Sequence, residues 1–218
     1  MAEDDHTINF WPAFADFMLA LVLIFLVAFG VSELGGVDST NAKTCQELLE
    51  KAFRAGAQPS GNKVEFERDR GDPFLLRIRL PEDLLFVSDY ATLTPRATTV
   101  LFQLVAPLSK QLPSIKEIEI DGHADQHETV KFKSNVHLAA ERAVSVYSFL
   151  KEQGIDPSSN SLSAVSYGDS FPVGRLPGDS GWTKERIDAA NVKDDDRKNN
   201  RRVEILIRYG TDIPPCRE

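Results

Sequence analysis

The chain has 218 residues, a net charge of −8 and a pI near 5.1. That length leaves room for one domain of ordinary size beside a membrane span. The acidic balance excludes a nucleic-acid surface, which would be basic.

Residues 1–9 form a short acidic tail, and the stretch from Phe10 to Gly30 that follows carries Asp16 as its only charge. About 20 apolar residues at 1.5 Å rise cross a hydrocarbon core of roughly 30 Å, so the spacing predicts one transmembrane helix over 10–32. Pro12 falls in its first turn, where a missing N–H costs nothing, and Phe10 and Trp11 suit the interfacial belt. A cleaved signal peptide is the competing reading. The leading MAEDDHTIN has no Lys or Arg, however, and no small-x-small site ends the apolar run. Asp16 costs at least about 2.5 kcal/mol inside a span, so such a carboxylate is kept for an ion or proton path or is paired in a bundle. Solvation near the interface is the plainer alternative. A lone helix makes no conduit, so a path through Asp16 implies a further subunit. Charge is nearly silent on orientation, because the first basic residue is Lys43.

Residues 33–61 read as a linker and connector. Gly35 and Gly36 among small polar residues predict a break and a flexible exit. Leu48, Leu49, Ala52 and Phe53 then share one face of a short amphipathic helix over 44–57. The domain expected over 62–210 opens with VEFERDR and FLLRIRL, two alternating runs around Arg70–Pro73, which is a hairpin signal. Extended character continues over Leu84–Phe86. Helical spacing follows over Leu93–Gln111, a strand over Ser114–Asp121, a helix over Ser134–Gln153 ended by Gly154, and strands over Leu162–Tyr167 and Arg202–Arg208. This order predicts an α+β domain with helices on one face of a mixed sheet, followed by a short tail over 211–218.

Two stretches resemble known families. The ADFM context of Asp16 at the start of the span resembles MotB-type stator subunits of ion-driven rotary motors. That resemblance implies a cytoplasmic N-terminus, an inner-membrane span, a periplasmic remainder, and a MotA-like partner, a pentamer around two copies of this chain. Within that class the span, without a Met-rich continuation, and the acidic tail are most similar to the MotB-like ZorB subunit of Zorya antiphage defence, whose partner is ZorA. Farther on, Gly122, His123, Asp125, Asn135, Leu138, Arg142 and Ala143, with the closing NNRRVEILI, resemble the signature of OmpA-like peptidoglycan-binding domains. The resemblance implies that Asp125, Asn135, Leu138 and Arg142 bind peptidoglycan. A stem amino acid such as diaminopimelate presents an ammonium that Asp125 can accept from and a carboxylate that Arg142 can hold bidentately. Asn135 is equally suited to capping the helix. Ala124 and Ala139 depart from the family's usual Thr and Ser.

In an oxidising periplasm Cys45 and Cys216 invite a disulfide; spacing leaves an intramolecular bond, an intermolecular bond and two free thiols open. His123, His127 and His137 with Asp125 lack zinc-ligand spacing, so no metal is expected there. The acidic run Asp194–Asp196 reads as a solvated loop, with a calcium site as the sharper alternative. No nucleophile with a nearby base and no pocketed pair of carboxylates emerges, so neither an enzyme nor a cofactor is expected.

Overall fold

The computed structural model describes residues 11–56, 64–156, 161–175, 178–211, 214 and 216. The expected tail over 1–9 and the boundary at 61–62 lie outside them. Along the chain run α1 (Trp11–Ala55), β1 (Glu65–Arg68), β2 (Leu75–Pro81), α2 (Glu82–Leu85), α3 (Pro95–Gln111), β3 (Ile115–His123), α4 (Asn135–Glu152), β4 (Ser161–Gly168), α5 (Lys184–Ala189), α6 (Asp194–Asn200) and β5 (Arg202–Tyr209).

The five strands form one mixed sheet in the order β1-β2-β5-β3-β4, with β3 and β4 parallel and the other pairs antiparallel. Period-two alternation divides its faces. Leu76, Ile78 and Leu80 on β2 lie level with Ile207, Ile205 and Val203 on β5, and these with Ile118, Ile120 and Gly122 on β3. This apolar face is covered by α3, α4 and the C-terminal half of α1, and together they make the core. The opposite face carries Arg77, Arg79, Glu119, Asp121, His123, Arg202 and Glu204. The predicted fold class, an N-terminal apolar helix and an α+β domain with its helices on one face of a mixed sheet, is therefore what the chain adopts.

Three local expectations are corrected. No break occurs at Gly35 and Gly36, because α1 is one helix of 45 residues. Each glycine costs a helix interior only about 1 kcal/mol, no proline removes a donor, and helix propagates from both flanks. Leu84 and Leu85 are helical rather than extended; Glu82 and Asp83 favour a first turn after Pro81, and only Phe86 is extended, bridging Leu93. The run Asp194–Asp196 is the first turn of α6 rather than a loop. Successive helical residues point about 100° apart, so the three carboxylates diverge instead of enclosing a calcium ion. Arg197 engages Asp194.

The amphipathic half of α1 buries Ala42, Cys45, Leu49 and Phe53, whereas Leu48 is half-buried and Ala52 exposed. Its face is thus shifted from the predicted one, because the i, i+3, i+7, i+11 positions meet α3. Cys45 and Cys216 are disulfide-bonded within the chain. Beside the bond, Gln111 donates to the Cys45 carbonyl at 3.0 Å and accepts from the Tyr209 hydroxyl at 2.8 Å. In the apolar segment Trp11–Gly30, long enough to cross a membrane, side chains including Trp11, Phe25 and Phe29 are exposed.

Candidate ligand-binding site

The strand β3 ends at His123 and the chain turns across the N-terminus of α4, which lies over that strand. Gly122 makes the approach possible: a Cβ there would sit 2.0 Å from the Ala139 carbonyl oxygen. Ser134 caps α4, its hydroxyl accepting from the His137 amide at 3.2 Å. Asn135 is therefore the first helical residue and not the cap. Its side-chain amide instead donates to the Asp125 carbonyl at 2.9 Å, while its Oδ1 is buried without a hydrogen bond.

Asp125, Asn135, Leu138 and Arg142 line one cavity of about 270 Å³. Leu138 forms an apolar wall, and Ala124 lies beside it. Asp89, at the rim, is the one described non-glycine residue with positive φ, at 59°; such local strain collects at binding sites.

Two residues that sequence reasoning did not single out complete the site. Glu82, from α2, accepts from Arg142 Nη2 at 2.5 Å, and Arg142 Nε donates to the Tyr90 carbonyl at 3.1 Å. Arg201, just before β5, pairs through Nε with Glu82 at 2.9 Å and through Nη1 with Asp125 at 2.6 Å. His127 completes the row, 3.2 Å from Asp125. The resulting chain, Arg142, Glu82, Arg201, Asp125, alternates in sign. Arg142 is 2% exposed and Asp125 4%. The expected pair is thus not vacant; each member already holds a counter-charge from this chain. Arg201 belongs to the quoted NNRRVEILI run, whose two arginines were a legible signal, whereas Glu82 comes from 60 residues before Arg142 and had none.

A zwitterion can enter such a site only by exchange. An incoming carboxylate competes with Glu82 for the guanidinium of Arg142, and an incoming ammonium competes with Arg201 for Asp125. The low exposure makes the exchange charge-selective, since an unpaired charge left behind is costly.

A second charged cluster lies on the sheet's other face. Glu204, wholly buried, receives Arg77, Arg79 and Arg202, and although burial pushes its pKa up, the guanidinium groups of Arg202 and Arg77 hold it well below the usual carboxylate range. Burial, with Glu119 and Glu204 beside it, pushes Asp121 up to about 8. Burial, then the positive charge of Arg202, brings His123 down to about 3, so its imidazole is neutral.

Residues 85–201 match the OmpA family. Motility protein B of Helicobacter pylori is 31% identical over 185 residues, covering 81% of this chain and 64% of the relative, so the chain spans just under two thirds of that protein's length. Among solved structures, a MotB-like protein from Desulfovibrio vulgaris superposes with a TM-score of 0.60 at 22% identity, covering 82% of this chain and 98% of that one. The periplasmic domain of Helicobacter pylori MotB gives 0.54 at 25% identity, covering 72% and 89%.

Proposed function

The chain belongs to the OmpA family, and from that membership we propose that it is the wall-anchored subunit of an ion-driven rotary motor in the inner membrane. The observation that carries the reading is the union of two features in one chain. An apolar helix has Asp16 as its only charge, and a family domain has Asp125 and Arg142 in one cavity. The similarity to motility protein B supports it, because that match covers far more of the chain than residues 85–201. The family and this relative make the chain a structural protein and not an enzyme.

In this reading the chain crosses the inner membrane once, with its N-terminus cytoplasmic and its domain periplasmic. Two copies associate, and a pentamer of MotA-like subunits surrounds their two Asp16 carboxylates. Ions bind and leave Asp16, and the torque falls on the partner ring because the OmpA-type domain holds peptidoglycan through Asp125, Asn135, Leu138 and Arg142. The process served is Zorya-type antiphage defence, with this chain as the ZorB-like subunit and a ZorA-like partner. The absence of a Met-rich continuation in LALVLIFLVAFG favours it over flagellar motility.

A phage-plating assay with the complete operon tests this. Asp16→Asn and Arg142→Ala, at membrane levels equal to wild type, are each expected to abolish protection. Protection by Asp16→Asn would reduce the protein to a passive wall anchor. No protection by wild type would return the motor to motility.

A further inference from the structure

Outside the cavity described above, three side chains converge on the open face of the sheet. Asp121 and His123 come from β3 and Glu204 from β5; Asp121 stands directly opposite Glu204, and His123 is on the next rung of the same face. One donor atom from each lies within 4.8 Å of the others. Their exposures are 2%, 3% and 0%.

The three are close but do not satisfy one another. His123 Nε2 is 3.9 Å from Glu204 Oε2, beyond hydrogen-bond reach, and neither imidazole nitrogen reaches good hydrogen-bond geometry, although the Phe171 backbone lies close enough to favour a proton on the ring. Asp121 Oδ1 is also buried without a hydrogen bond. A stack holds the imidazole in place, with Tyr167 lying on His123 at 5.3 Å and 15°, and Phe171 on Tyr167 at 4.5 Å. Buried polar atoms are normally paired, so an immobilised imidazole beside an unpaired carboxylate oxygen calls for a further group between them.

The donor set identifies that group. One imidazole nitrogen with carboxylate oxygens suits a borderline divalent ion such as zinc. Around the cluster, the carboxyl groups of Glu65, Glu67, Glu119, Asp121 and Glu204 are interleaved with the guanidinium groups of Arg77, Arg79 and Arg202. The arginines do not saturate Glu204. Oε1 accepts from Arg79 and Arg202, but Oε2 accepts from Arg77 alone and keeps a lone pair near His123. A cavity of about 380 Å³ reaches Glu204, one of the three, and is lined also by Arg70, Arg77, Arg79, Arg175 and Arg202.

We infer that Asp121, His123 and Glu204 bind one divalent first-row transition-metal ion of the zinc type, with a fourth position open to water. Ligand atoms around zinc stand about 3.3 Å apart, so donor atoms now within 4.8 Å of one another, with one pair at 3.9 Å, close by about 0.6 to 1.5 Å on loading. The ion ties the end of β3 to the start of β5. Asp125 follows two residues after His123 and Arg201 immediately precedes Arg202, so loading fixes the strands that present the ligand-site pair. The inference does not rest on the motor reading.

Equilibrium dialysis of the chelator-stripped full chain in detergent, with zinc measured by atomic emission, tests it. One tightly held zinc per chain is expected, with affinity falling at least tenfold in His123→Gln and in Asp121→Asn and unchanged in His137→Ala. No zinc retained by the wild-type chain, or retention in either ligand variant equal to wild type, overturns it. Should either variant fail to fold, cobalt(II) in the wild-type chain decides. X-ray absorption with one imidazole and oxygen donors supports the site, and a spectrum of fully hydrated cobalt, or one with sulfur or several imidazoles, refutes it.

Discussion

Arg142 and Glu82 form a buried ion pair whose two members are unequally backed. Without Arg142, Glu82 still has Arg201 at 2.9 Å; without Glu82, Arg142 keeps, among the described residues, only the Tyr90 carbonyl and the face of Phe86 at 5.2 Å. Orphaning a buried charge costs about 3–5 kcal/mol. Urea unfolding of the full chain should therefore find Glu82→Ala destabilised by about 3 kcal/mol and Arg142→Met by only about 2 kcal/mol. The double variant should recover most of the loss yet fail to pellet with purified peptidoglycan sacculi. Equal costs for the two single variants would mean that Arg201 does not support Glu82. At this scale the sequence disclosed what was local: Asp125, Asn135, Leu138 and Arg142 fall within 18 positions and share one cavity. It hid what the fold imports. Glu82 sits on a single helical turn, and the Asp121–His123–Glu204 cluster joins residues about 80 positions apart through a strand pairing that no spacing announces.

Among the elements, strands and long helices were legible because period two and period 3.6 differ plainly over seven or more residues. Short or charged elements were not. In α2 only four residues are helical, too few for a period, and in α6 the acidic triplet has the composition of a solvated run, although acids in a first turn and Arg197 and Lys198 in the last suit a helix dipole. The contact between β3 and α4 is the one on which the ligand site depends, and it tolerates no side chain at Gly122. Gly122→Ala should lower stability by about 3 kcal/mol, as overpacking does, with the loss visible as an earlier thermal unfolding midpoint. Gly30→Ala, where an added Cβ meets nothing within 4 Å, serves as the control. A midpoint unchanged in Gly122→Ala would mean that α4 can lift from the strand.

For the molecule as a whole, the disulfide joins positions 171 residues apart, linking α1 to the C-terminal end over the Gln111 and Tyr209 contacts. Closing so long a loop removes much freedom from the unfolded chain. Replacing both cysteines by serine should cost about 2–5 kcal/mol, read as a lower urea midpoint that added reductant does not shift further. No loss would mean that the core alone fixes the two ends. The cysteines were evident in the sequence, but their partnership was not, since spacing left three arrangements open. Continuity of α1 was hidden for another reason: paired glycines are common at breaks, and only the helical flanks decide whether they bend.

That continuity makes angle as well as distance a fixed quantity along the chain. At 1.5 Å per residue α1 is about 67 Å long, and Asp16 and Cys45 lie about eight turns apart at 3.6 residues per turn. They therefore share nearly the same azimuth about the helix axis. One residue added between them would leave the apolar span and the domain core chemically intact while swinging the carboxylate through about 100°. The helix acts as a keyed shaft, in which the direction the carboxylate faces is set by how the disulfide-bonded end is seated.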